Sequence, residues 1–192
     1  MRIACLGTSA NPPHLGHLEI AKQILKQNLV DQVWLIPCRK HVFNKKLWPR
    51  QFRWEMVKML EQPGIKACDI ELQRKGKSYT FDTVIALKEK YPQHKFYWIV
   101  GSDLVVSGEY KKWEIWPQLK KEIQFLLIQR PGYSIAKVRE KCFIKTGIRG
   151  NYISSTLIRE RLKKSLEIND LVPLKIAQYI KYLKKYSLIK FL

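Results

Sequence analysis

The sequence predicts an α/β protein: a Rossmann-like open parallel sheet with helices on both faces and a small C-terminal helical portion. Three observations predict it. Residues 2–36 read as strand, helix, strand, the unit from which such folds start. The apolar runs at 33–36, 96–100 and 125–128 are continuous rather than alternating, as in strands covered on both faces. Helical periodicity occupies the stretches around them.

Residues 2–6 form a short apolar strand that meets Gly7. A polar turn and Pro12-Pro13 follow. From about 14 to 28, Leu18, Ile20, Ala21, Ile24 and Leu25 recur at helical spacing. The second strand, 33–36, is stopped by Pro37. Residues 38–50 are a basic, aromatic loop. Residues 51–61 read as a helix, 67–73 as a strand and 74–78 as a turn. Residues 80–91 form a helix on Val84, Ile85 and Leu87, and Pro92 ends it. The strand 96–100 breaks at Gly101, and the strand 125–128 runs into Arg130-Pro131-Gly132. Residues 155–164 and 173–186 read as helices, expected on one end of the sheet. There is no internal repeat, low-complexity segment or linker. Residues 1–192 therefore read as one domain, with its helical part from about 154 to 192.

At 192 residues and 46% apolar, the chain has material for a real core. No apolar run approaches the roughly 20 residues of a membrane span, and residues 1–6 do not make a signal peptide. The expected setting is soluble and cytoplasmic, with no membrane partner. Cys5, Cys38, Cys68 and Cys142 lie far apart, without zinc-ligand spacing, and read as small buried thiols. The net charge of +20 suits either nucleic acid or a small polyanion. Of 36 basic residues 26 are lysines, and they are scattered rather than clustered among aromatics. The charge therefore reads as a lysine-rich surface with steering value, not as a nucleic-acid site.

The first strand–helix junction carries the chemistry. It reads Gly7-Thr8-Ser9-Ala10-Asn11-Pro12-Pro13-His14-Leu15-Gly16-His17. In an open parallel sheet, ligands bind beyond the carboxyl ends of the strands. A helix N-terminus there offers free N–H groups and partial positive charge to a phosphate. His14 and His17, three apart, share one face of a helical turn. Gly16 between them leaves room for a ligand near the backbone. Two imidazoles so placed can grip phosphate oxygens and stabilise charge that grows during transfer. On their own, the same residues also suit helix capping, a surface position or a two-ligand metal site.

The segment resembles the phosphate-binding motif of the HxGH nucleotidyltransferase superfamily. Within that superfamily it is similar to the nicotinate/nicotinamide mononucleotide adenylyltransferases, G-G-[ST]-F-[DN]-P-P-H-x-G-H. Gly7, Ser9, Asn11, Pro12, Pro13, His14, Gly16 and His17 match. Thr8 stands where that family has a second glycine, and Ala10 where it has phenylalanine.

Further segments carry the resemblance along the chain. Ile153-Ser154-Ser155-Thr156-Leu157-Ile158-Arg159 matches I-S-S-T-x-I-R. Its hydroxyls suit a helix cap or a phosphate, and Arg159 offers a forked cation. Arg74 to Thr83 resembles R-x-G-x-S-Y-T-x-D-T, which implies that Ser78, Tyr79 and Thr80 hold a pyridine carboxylate. By residue type alone, that segment is a turn and a helix cap. Gly101-Ser102-Asp103 resembles G-[AS]-D, with Asp103 either receiving a ribose or amino hydrogen bond or capping the next helix. Trp113 falls where the family stacks a tryptophan on the pyridine ring, and Trp116 reads as core. Arg130-Pro131-Gly132-Tyr133 resembles R-P-G-[YF], with Arg130 toward the adenosine or phosphate end. Arg53 and Met56 match R-x-x-M. Lys45, before Lys40, is the nearest match to a family loop lysine. The resemblance spans about residues 2 to 186.

It implies adenylyl transfer from ATP to nicotinate mononucleotide, giving deamido-NAD and pyrophosphate in NAD biosynthesis, with Mg²⁺ accompanying ATP and no organic cofactor or protein-held metal. Catalytic roles fall on His14, His17 and Arg159. The ATP and phosphate groups fall to Gly7, Thr8, Ser9, Gly16, Lys45, Gly101, Asp103, Arg130, Ser154, Ser155 and Thr156. The mononucleotide falls to Asn11, Ser78, Tyr79, Thr80 and Trp113. Two alternatives stay open: nicotinamide mononucleotide as acceptor, and a catalytically weakened nucleotide-binding regulator, suggested by Thr8 and Ala10. A homo-oligomer is also open, and no nucleic-acid partner is expected.

Overall fold

The structure is a computed structural model describing residues 1–113 and 115–189. Six parallel strands form one sheet in the order β3-β2-β1-β4-β5-β6. They are β1 (Arg2–Thr8), β2 (Gln32–Pro37), β3 (Ile65–Ala67), β4 (Lys95–Gly101), β5 (Gln124–Gln129) and β6 (Phe143–Arg149). The chain builds outward from β1 to β2 and β3, then crosses to β4 on the other flank of β1 and continues to β6. The crossing reverses the direction of winding between β1 and β4. At such a point the connections leave in opposite directions and open a crevice beyond the strand ends. Thr8 and Gly101 end the two strands that flank it.

Side chains alternate across the sheet and feed two cores. Ala4 and Leu6 of β1, with Leu126 and Ile128 of β5, face one side. Ile3 and Cys5, with Phe125 and Leu127, face the other. The first face is covered through Ala21 and Ile24 of α1 (Leu15–Lys26) and Met56 and Val57 of α2 (Arg50–Lys58). The second is covered by Val84 and Leu87 of α4 (Thr80–Lys90) and by Trp116 and Leu119 of α6 (Trp116–Glu122). No helix among the described residues is long and apolar enough to cross a membrane.

The sequence reading departs from the structure at identifiable places. The stretch 67–73 is not a strand. Only Ile65–Ala67 pairs with β2, and Ile70–Gln73 turns into a short helix, α3. Cys68, Ile70 and Leu72 alternate with polar residues and so imitate a strand. In the fold Ile70 and Leu72 are buried by one helical turn, and the intervening Glu71 is buried as well. Strand β6 carries no run of apolar residues. It is an edge strand, half exposed, with Gly147 at φ 74°. The short helix α5 (Ser102–Val106), the 3₁₀ turn Glu109–Lys112 and α6 also lack a clear period.

Helices α7 (Ser155–Lys163) and α8 (Leu174–Lys185) close the described chain, and Tyr179 of α8 meets Phe52 of α2 edge-on with ring centroids 6.5 Å apart. Ile158 and Leu162 of α7 and Ile176, Ile180 and Leu183 of α8 share the core of Ala4 and Leu6. Residues 190–192 of the expected helical part lie outside the described residues.

Candidate active site

A cleft of about 480 Å³ opens at the reversal point, within the range of small-ligand sites. Its floor is the end of β1 and β4, with Gly7, Thr8, Trp98 and Gly101. Glycine is required at three of the floor and wall positions, Gly101 among them, where a Cβ would overlap Oδ1 of Asp103. A Cβ on Gly7 would sit 2.5 Å from Cζ2 of Trp98. A Cβ on Gly16 would sit 2.9 Å from Oδ1 of Asn151 and 3.0 Å from Nδ1 of His14.

His14 is the N-cap of α1 and His17 lies in its first turn, so the two rings meet with centroids 3.8 Å apart. The His14 backbone N–H donates to Nδ1 of His17 at 3.2 Å. Nε2 of His17 lies 2.9 Å from Oγ1 of Thr8. Nδ1 of His14 is buried without a hydrogen-bond partner. Burial, then the neighbouring His17 and the cationic Arg130, hold His14 down to about 2. Burial and Arg130 hold His17 at about 4. Both imidazoles are therefore neutral near pH 7 and act as hydrogen-bonding groups rather than as resident cations.

Arg130 follows β5. Its N–H donates to Oγ of the fully buried Ser102 at 2.8 Å. A Cβ on Gly150 would lie 3.3 Å from Nη1 of Arg130, so that glycine leaves the guanidinium its path. Asp103 borders the cleft from the first turn of α5. Cys38 also borders it, but burial pushes its thiol up to about 11, so no thiolate nucleophile is available.

The other wing holds Ser78, Thr80 and Trp113, together with Lys45 and the loop residues His41, Val42 and Phe43. An adjoining pocket of about 170 Å³ repeats Phe43, Ser78, Thr80 and Trp113 and adds Tyr79. Tyr79 and Thr80 form the start of α4, whose N-cap makes no side-chain hydrogen bond. The first amides of α4 therefore have no side-chain cap beside this wing. Lys45 borders the cleft, whereas Lys40 gives its carbonyl to the Ser78 N–H at 3.0 Å.

Four expected site residues lie outside the lining of the main cleft. Asn11 is 1% exposed, and its Oδ1 accepts from the Trp48 N–H at 2.9 Å. Arg159 donates from Nη1 to the Asn11 carbonyl at 2.8 Å and from Nη2 to Oγ1 of the exposed Thr156 at 3.2 Å. Tyr79 reaches only the smaller pocket. Ser154 and Ser155 do line the cleft. Ser154 caps α7 by accepting from Leu157 N–H at 3.1 Å, and Ser155 donates to the Pro12 carbonyl at 2.8 Å. The distant I-S-S-T-x-I-R segment thus clamps the loop that precedes His14.

Sequence reasoning missed Glu71, Trp98, His41 and Phe43 in the walls. Glu71 was hidden by the false strand. It is 4% exposed, accepts from Oγ1 of Thr83 at 2.8 Å, and burial pushes its carboxyl up. His41 and Phe43 lay in a loop whose aromatic and basic composition was the available signal. Arg53 was seen only as part of a pattern. Buried in α2, it donates to the carbonyls of Trp48, Ser9 and Cys38 at 3.0, 2.9 and 2.7 Å, tying both cleft loops to one helix.

The chain matches the family model described as cytidylyltransferase-like over residues 5–161. It is 38% identical over 190 residues to the probable nicotinate-nucleotide adenylyltransferase of Shouchella clausii, covering 97% of each chain. It is 35% identical over 184 residues to the nicotinate-nucleotide adenylyltransferase of Bacillus subtilis, covering 93% of this chain and 95% of that one. The solved nicotinic acid mononucleotide adenylyltransferase of Plasmodium falciparum, complexed with NaAD, is similar in fold with a TM-score of 0.78. It is 25% identical, covering 95% of this chain and 96% of that one.

Proposed function

The chain belongs to the nicotinate-nucleotide adenylyltransferases of the cytidylyltransferase-like family, and from that premise we infer that it transfers the adenylyl group of ATP to nicotinate mononucleotide. The products are deamido-NAD and pyrophosphate, in NAD biosynthesis. One observation carries the reading: a single cleft joins the His14/His17 phosphate wall to the Ser78–Thr80–Trp113 wing. A donor nucleotide and a flat acceptor ring can thus lie within one enclosure.

The acceptor phosphate is already an anion and attacks the α-phosphorus without a protein base. The protein's contribution is positioning and charge stabilisation. His14 and His17 face the phosphates, with Arg130 and Lys45 as the cations bordering the cleft. Ser154 and Ser155 sit on the same side. Arg159 and Thr156 hold the phosphate loop through Asn11 and, in this reading, turn to the β/γ-phosphates only when ATP is present. Trp113 supplies a stacking face to the pyridine ring. Among the described residues no group of three or more His, Cys, Asp or Glu side chains could hold a metal alone. Asp103, which borders the cleft, would hold Mg²⁺ together with the ATP phosphates. The chemistry such an ion would supply is neutralisation of charge on the pyrophosphate leaving group.

Nicotinamide mononucleotide is the second reading. The uncapped N-terminus of α4 at Thr80 favours a carboxylate over a carboxamide, because free amide donors and the helix dipole both stabilise negative charge. A cytoplasmic setting and action without nucleic acid belong to the same inference, since ATP is a cytoplasmic metabolite. The test is pyrophosphate release from ATP with each mononucleotide. Turnover is expected with nicotinate mononucleotide in preference to the amide. A His17→Ala protein is expected to lose about 10²-fold in kcat, and unimpaired turnover would remove the histidines from the mechanism.

A further inference from the structure

The ring of His17 is committed at both nitrogens. Its Nδ1 receives the His14 N–H at 3.2 Å. An accepting imidazole nitrogen carries no proton, so the neutral ring holds its proton on Nε2. Nε2–H then donates to Oγ1 of Thr8, 2.9 Å away. The same oxygen accepts the Ala10 N–H at 3.0 Å. A hydroxyl has two lone pairs and one hydrogen. Both lone pairs of Thr8 are used, and its hydrogen remains. Thr8 ends β1 and borders the cleft beside Ser9, His14 and His17.

We propose that the Thr8 hydroxyl is the hydrogen-bond donor that meets the transferred α-phosphate, and that His17 acts through it. The proposal rests on the adenylyl-transfer reading. Two donors into one oxygen polarise its O–H bond and strengthen it as a donor. The donor is prealigned by β1 and α1, so no reorganisation accompanies the growth of charge on phosphate oxygen. No proton changes hands: the hydroxyl keeps its hydrogen, and the imidazole stays neutral. Thr8 occupies a position where the resembling motif carries glycine, so this chain interposes a side chain between the second histidine and the ligand.

The test measures kcat and KM for both substrates in the wild type, Thr8→Val, Thr8→Ser, His17→Ala and the Thr8→Val/His17→Ala double variant, with thermal midpoints alongside. Thr8→Val keeps the shape and removes the hydroxyl, and Thr8→Ala replaces it if the valine protein does not fold. Thr8→Val is expected to lose about 10²-fold in kcat with little change in the KM for the mononucleotide, and Thr8→Ser to recover to within about 5-fold of wild type. The double variant is expected to be no slower than the slower single variant by more than about 3-fold, as for groups acting as one unit. Wild-type kcat in Thr8→Val overturns the proposal. So does Thr8→Ser as slow as Thr8→Val, or losses that multiply in the double variant. If the wild type adenylylates neither mononucleotide, the adenylyl-transfer reading fails by itself. ATP affinity by calorimetry then decides: weakening in Thr8→Val that Thr8→Ser restores supports the contact, and equal affinities overturn it.

Discussion

Gly16 shows how narrowly the site is cut at the scale of one residue. Its missing side chain is what allows the His14 ring and Asn151 Oδ1 to converge. Gly16→Ala has ordinary helical space available only if His14 moves. The expected outcome is a loss of at least about tenfold in kcat/KM for ATP, since a displaced donor misses the phosphate. Stability should change little, because alanine favours the helix by about 1 kcal/mol, offsetting local crowding. Kinetics with a parallel thermal melt check both. The residues Gly7, Gly16, His14 and His17 were legible in sequence because their chemistry is local to one turn. That Asn11 accepts from Trp48 and Arg159 donates to the Asn11 carbonyl is visible only in the fold, because these partners are far apart in sequence.

At the scale of elements, α7 does more than cover the core. Its N-terminal residues clamp the loop before His14, with Ser155 on Pro12 and Arg159 on Asn11. Arg159→Leu is expected to weaken ATP binding about tenfold through a loosened loop, at the magnitude of a lost charged hydrogen bond. Slower backbone hydrogen exchange at residues 9–11 in the wild type than in the variant is the structural check. Equal exchange would mean that Arg159 acts on ATP alone. Most elements were readable from periodicity, since α1, α4, α7 and α8 each bury a regular stripe. The segment 67–73 was not, because the alternation of Cys68, Ile70 and Leu72 fits a strand and a wedged helical turn equally. Nor was β6, whose half-exposed edge position asks for no apolar run.

Over the whole molecule, the neutral histidines make stability depend on pH. Unfolded, His14 and His17 take up protons near 6.5; folded, they resist to about 2 and about 4. The unfolded chain therefore binds more protons below 6.5. Stability is full above that pH and falls as the solution is acidified toward the folded values. Between pH 7 and 5 the loss is expected on the order of 1–2 kcal/mol per histidine. Calorimetric melts across that window measure it, and a His14→Gln/His17→Gln protein should show a flatter slope. ATP binding draws on the same charge balance, with a net +20 surface around a cleft whose imidazoles are uncharged.

The sequence by itself determined the fold class and the residues of the histidine wall. Continuous apolar runs demand strands covered on both faces, and one strand–turn–helix segment contains Gly7, His14, Gly16 and His17 together. The tertiary structure alone decided what surrounds them. Cys38, His41, Val42, Phe43, Lys45, Glu71, Arg130 and the start of α7 reach the cleft from distant parts of the chain, because the winding reverses between β1 and β4. It also brought His17 Nε2 and the Ala10 N–H to the Thr8 hydroxyl and aimed the His14 N–H at His17, contacts that cannot be read from residue types.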